Sequence, residues 1–119
     1  MAQQKRTVAI QTLKVSATKM VKLSIVAGNT HIASSILKFK GTNENIAEGK
    51  ITNQEIGIGS DLVGKTLRVV TTVTKQGPTQ NIVLTHQFTN TTPSKFQFTD
   101  VFNPGNLFFT YVADYNFTN

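Results

Sequence analysis

Lys65-Thr66-Leu67-Arg68-Val69-Val70-Thr71-Thr72-Val73-Thr74-Lys75 alternates side chains with a period of two. Leu67, Val69, Thr71 and Val73 fall on one side of an extended chain, and Thr66, Arg68, Thr72 and Thr74 on the other. That period belongs to a strand with one buried face. The β-branched residues that fill the stretch lose side-chain freedom in a helix and pack well on a pleated surface.

The same stretch decides how the segment before it is read. Gly59-Ser60-Asp61-Leu62-Val63-Gly64-Lys65-Thr66 matches G-x-x-x-x-G-K-[ST], the nucleotide-binding P-loop pattern. By that analogy Lys65 would neutralise phosphates and Thr66 would bind magnesium. A P-loop, however, opens a helix whose free N–H groups hold the phosphate. Here the match opens a strand. A turn started by Ser60 or Asp61, with Gly64 at positive φ, accounts for the residues without a ligand, so neither nucleotide nor other cofactor is expected.

Outward from this strand the pattern repeats. Gly77-Pro78 turns the chain into Asn81 to Thr89, where Ile82, Leu84, His86 and Phe88 share a face; the pair predicts a hairpin. Phe96 and Phe98 begin a further strand that ends before Asn103-Pro104-Gly105. The last strand carries Leu107, Phe109, Tyr111, Ala113, Tyr115 and Phe117 on one face and Phe108 and Val112 on the other, which predicts cover on both sides for part of it.

Towards the N-terminus, Leu13 and Val15 share one parity and Val8 and Ile10 the other, so a bulge or turn is expected between Ile10 and Leu13. Gly28-Asn29 signals a turn, after which Leu37 and Phe39 face in and Lys38 and Lys40 out. A short helix over Ala33 to Leu37 is the alternative there. Gly49 and Asn53 divide Ile46 to Ile58 into two short strands. These signals predict an all-β chain: a single antiparallel β-sandwich domain over residues 1–119, of about eight short strands, jelly-roll or immunoglobulin-like, with little or no helix.

Composition narrows the function classes. The chain has 119 residues, a length typical of one domain, and no cysteine, which excludes disulfides, thiolate metal sites and cysteine nucleophiles. No stretch reaches the roughly 18 apolar residues of a membrane helix. Met1 to Arg6 and the alternating residues after it do not form the apolar core of a secretory signal. A cytoplasmic location, or export by a route the sequence does not display, is expected.

Catalytic and metal chemistry find little support. His31 and His86 are the only histidines and lack metal-ligand spacing. His86 reads as a partly buried, satisfied histidine and His31 as a solvated one after a turn. No G-x-S-x-G elbow accompanies the serines, and Glu44, Glu48 and Glu55 read as charge balance. A non-catalytic chain without metal is expected.

Binding is the remaining class. The chain has 12 Lys and Arg against 6 Asp and Glu, a net charge of +6. Lys5, Arg6, Lys14, Lys19, Lys22, Lys38 and Lys40 precede the first carboxylate, Glu44. The expected role is protein–protein assembly, as a structural or self-associating subunit forming a homo-oligomer. Phe109, Tyr111, Tyr115 and Phe117 are the candidate interface aromatics, for whichever rings are exposed. One alternative is a lectin-like carbohydrate-binding module, against which stands the absence of tryptophan. The other is an acidic partner held by a basic strand face bearing Lys14, Lys22, Lys38, Lys40 and Arg68. No aromatic is interleaved with these cations, so nucleic acid is not expected.

Overall fold

The computed structural model describes residues 3–119. Met1 and Ala2, part of the leader and domain readings above, lie outside the described residues. Among the described residues eleven strands form: β1 (Gln4–Thr7), β2 (Gln11–Val15), β3 (Met20–Ala27), β4 (Ile32–Phe39), β5 (Ala47–Gly49), β6 (Gln54–Ile58), β7 (Thr66–Thr74), β8 (Asn81–Thr89), β9 (Thr91–Thr92), β10 (Lys95–Val101) and β11 (Phe108–Thr118). A single helical turn, α1 (Gly59–Leu62), precedes β7. The count exceeds eight because several strands run only two to four residues. The alternative helix over Ala33 to Leu37 is part of β4 instead.

The larger sheet has the order β5-β4-β7-β11-β2-β9, with β1 also on β11, and the smaller one the order β10-β8-β3-β6. The buried apolar side chains of both form one cluster, including Leu13, Leu37, Leu67 and Tyr115 from the larger and Leu23, Leu84 and Phe88 from the smaller. β7 alternates as its sequence dictates: Leu67, Val69, Thr71 and Val73 are buried and the residues between them half-buried.

Three features differ from the sequence expectation. First, the larger sheet is mixed, because β1 and β2 both run parallel to β11. Thr7 pairs with Val112 and Gln11 with Tyr115, four steps against three, so one extra residue interrupts the edge. That jog falls just before the segment expected and lets Val8 and Leu13, of opposite parity, both face the core. Second, β7 and β8 are not a hairpin: they lie in different sheets. The loop between them crosses from one layer to the other, held by His31 Nδ1, which accepts the N–H groups of Gln76 and Gly77, both at 3.2 Å. Alternation reports which face of a strand is buried, and both strands would alternate alike whether paired edge to edge or facing across a core. Third, His31 is buried, with its Nε2–H donated to the Asn81 carbonyl at 3.0 Å and its ring edge-on to Phe102.

The turn that delivers His31 carries backbone strain. Asn29 and Thr30 both adopt left-handed conformations, φ 58° and 64°, and the His31 N–H closes the turn on the Gly28 carbonyl. Asparagine tolerates this region, whereas a β-branched residue is strained there. Thr30→Gly should therefore stabilise the fold by about 1 kcal/mol, measured as an increase in the urea midpoint. A loss of stability would contradict that account of the turn.

Candidate functional site

The outer face of the larger sheet gathers the cations. Register places Lys38 opposite Arg68, and Arg68 opposite Asp114, in one row across β4, β7 and β11. Arg68 grips Asp114 with two hydrogen bonds, Nε to Oδ1 at 2.9 Å and Nη2 to Oδ2 at 3.0 Å, and Lys40 Nζ approaches Oδ2 at 3.6 Å. The hydrogen bond from Arg68 is the main reason the Asp114 carboxyl sits below the usual carboxylate range, with burial opposing it and the charges of Arg68 and Lys40 adding to it. The same hydrogen bond raises the Arg68 guanidinium. Lys40, Arg68 and Asp114 thus carry one net positive charge, and Lys38 adds another.

Two shallow depressions adjoin this row. One, of about 370 Å³, is lined by Ile36, Lys38, Lys40, Asn45, Arg68 and Val70. The second, of about 480 Å³, shares Arg68 and Val70 and reaches Lys5 and Thr110. Glu48 pairs opposite Ile36 beside the first and accepts a hydrogen bond from Asn45 Nδ2.

Of the five cations expected on one face, the structure brings together Lys38, Lys40 and Arg68. Lys14 projects from β2 of the same sheet, where it pairs with Thr92 and Thr118. Lys22 lies in the other sheet, between Thr89 and Glu55, and does not join them. The sequence reading counted Lys5 among the cations without placing it on this face, and it missed Asp114. The signal for Asp114 was available, since the burial of Ala113 and Tyr115 turns the residue between them to the face that carries Arg68.

The four candidate interface aromatics are core. Phe109, Tyr111, Tyr115 and Phe117 are buried. Tyr115 packs against Phe88, Phe96 and His86, and the Tyr111 hydroxyl donates to Asp100 Oδ2 at 2.7 Å beside Arg6. Phe108, on the second face of a strand expected to be covered on both sides along part of its length, is 53% exposed.

Phe108 belongs to a group of apolar side chains around one end of the molecule. Ile32 and Phe108 flank Thr74 on the outer face of the larger sheet, and Leu107 stands on the chain leading into β11. Val101 ends β10 in the smaller sheet and meets the same end, where Gln4 Nε2 donates to its carbonyl. All four are exposed, and Val26 is exposed a few residues behind them on β3. The eleven residues of β11 rise about 3.4 Å each, so the strands run along the longest of the 46 × 25 × 22 Å dimensions.

The P-loop-like segment has another geometry. The residues after Gly64-Lys65 form β7, and the helical turn comes before them, where a tight turn was expected. Gly64 takes φ +86°, and the Lys65 ammonium lies 5.2 Å from the centre of the Phe39 ring. Among the described residues, no three His, Asp or Glu side chains converge as metal ligands would, and no helix is long and apolar enough to cross a membrane. No family model, curated protein or solved structure matches this chain.

Proposed function

We propose that the chain is a non-catalytic β-sandwich module, of jelly-roll or immunoglobulin-like type, that acts in protein–protein assembly by self-association through its apolar end. The observation that carries this reading is the grouping of Ile32, Val101, Leu107 and Phe108 around one end of an elongated molecule. Apolar side chains scattered singly over a surface need no explanation; several around one end mark a contact surface. The simplest closed contact sets the same end of two copies against each other about a two-fold axis.

Magnitude limits the affinity. An end of 25 × 22 Å offers about 550 Å² per copy, less than the roughly 800 Å² of a standard stable interface. The dimer should be weak, with a Kd on the order of 10–100 µM, and tunable by local concentration. Sedimentation velocity between 5 and 500 µM (roughly the range such a Kd requires) should show a reversible monomer–dimer shift, and Phe108→Asp should abolish it. A strict monomer at the highest concentration would refute the proposal.

The second reading, an acidic partner on the basic face, has its own support in the Lys38–Arg68–Lys40 group. Asp114 occupies Arg68 and Lys40 there. Asp114→Asn would release both and add one positive charge, so heparin affinity at low salt should rise on the order of fivefold, roughly 1 kcal/mol. Retention no stronger than that of the parent chain would remove this reading. The carbohydrate reading, which without tryptophan would stack a sugar on Tyr111, Tyr115 or a phenylalanine, is left with Phe108, because both tyrosines are buried.

A further inference from the structure

The two sheets leave a bare stretch on the same side of the molecule. β5 pairs only with Ser35–Leu37 of β4, so Ile32, Ala33 and Ser34 have β7 on one side and no strand on the other. β6 pairs only with Met20–Leu23 of β3, so Ser24–Ala27 have β8 on one side and no strand on the other. Two bonds tie the start of that second stretch to the loop between β5 and β6, from the Ile25 N–H to the Ile51 carbonyl at 3.0 Å and from the Asn53 N–H to Ser24 Oγ at 2.8 Å, which leaves Val26 and Ala27 open.

Between the two bare edges lies a cleft of about 560 Å³, mostly apolar. Its deeper wall is Ile25, His31 and Ile51, all buried, and its mouth is flanked by Val26 and Ile32, 61% and 53% exposed. Lys50 is its one charged lining residue; no carboxylate lines it.

We infer that this cleft accepts an extended segment of another protein, one with alternating apolar side chains and an acidic residue to meet Lys50. An unpaired strand edge offers backbone hydrogen bonds to any extended chain, and a pocket beside it selects alternate side chains. The guest strand would continue the line of β5 along Ile32–Ser34 and send every second side chain towards Ile25 and Ile51. The occupant is not a second copy of this chain. Its apolar alternating segments are already paired within the two sheets.

The inference does not rest on end-to-end association; Ile32 borders both surfaces, and Val26 on the cleft and Phe108 on the end tell them apart. The test titrates the 15N-labelled full chain with three capped peptides of equal length: alternating Val and Thr with Asp at both ends, the same residues with the alternation broken, and the alternating peptide with a central residue replaced by proline. The alternating peptide should bind with a Kd on the order of 100 µM. Its shifts should be confined to Ser24–Ala27, Ile32–Ser34 and Lys50–Thr52, with amide exchange slowed about tenfold or more at Ala33, whose N–H faces the open side of β4. The proline and scrambled peptides should not bind. Val26→Lys and Ile32→Lys, changes at exposed positions, should each weaken binding about tenfold, whereas Phe108→Asp should leave it unchanged.

Four outcomes would overturn the inference. These are no shift in the cleft at 1 mM (roughly ten times the expected Kd), equal binding of the three peptides, binding of a short fatty acid but of no peptide, and cleft shifts that grow with protein concentration alone. The last would assign the cleft to a second copy.

Discussion

Between pH 7 and 4.5 the fold should lose about 2–3 kcal/mol through a single side chain, His86. Its imidazole lies between the sheets with no exposed surface, where Nδ1 bonds the Tyr115 hydroxyl at 2.7 Å and Nε2 the Thr71 hydroxyl at 3.2 Å. Thr71 continues to Ser35 at 2.8 Å. Four polar groups from β4, β7, β8 and β11 thus satisfy one another inside the core, with the neutral ring donating from one nitrogen and accepting at the other. Burial lowers the histidine pKa from 6.5 to about 3.

The sign follows from where the proton goes. Below pH 6.5 the unfolded chain binds a proton that the folded one refuses, so stability is complete above 6.5 and falls as the pH drops towards 3. The slope is about 1.4 kcal/mol per pH unit within that window. Urea unfolding at pH 7 and 4.5 measures it. His86→Gln should be less stable at pH 7 and should lose most of the slope. An unchanged slope in that variant would show that the acid sensitivity lies elsewhere.

Gly59→Ala should cost about 2–4 kcal/mol, whereas Gly64→Ala should cost about 1. The two glycines belong to the same P-loop-like segment, yet their reasons differ. A Cβ on Gly59 would run into the Ser16 carbonyl, a backbone group that cannot step aside. The approach is fixed by the Gly59 and Ser60 N–H groups, which donate to the carbonyls of Lys19 and Ala17 at 2.9 and 3.0 Å. At Gly64 a Cβ would meet nothing within 4 Å, and the cost is only that of a side chain at φ +86°. Thermal denaturation of both variants tests the ranking. Equal effects, or melting points that rise on adding ATP and magnesium, would contradict the structural account of the segment.

The residues show why some of this was legible and some was not. Parity is local: the alternation of Leu67 to Val73 announced β7 and its buried face, and the alternation of Lys38 and Lys40 with Leu37 and Phe39 placed both lysines outward. Adjacency is not local. Nothing near Lys38 says that Arg68 will stand opposite, and nothing near Lys22 says that its strand joins the other sheet. The hairpin expected of β7 and β8 failed for the same reason, since a loop containing Gly77-Pro78 can turn within a sheet or cross between two. His31 followed a turn signal and was read as solvated. Its burial depends on the N–H groups of Gln76 and Gly77 and the ring of Phe102, all far away in sequence. The apolar end had a faint signal, Leu107 and Phe108 separated from the Asn103-Pro104-Gly105 turn by Asn106 alone.

Self-association through that end can be tested with a single cysteine, because the chain has none of its own. Leu107→Cys places one thiol on the proposed contact and Gln97→Cys places one on an exposed strand away from it. Under mild oxidation at about 100 µM (a concentration near the expected Kd), the Leu107→Cys protein should form disulfide-linked dimers at least about tenfold faster than the Gln97→Cys protein, and Phe108→Asp in the same chain should remove the difference. Equal rates at the two positions would contradict assembly through the apolar end.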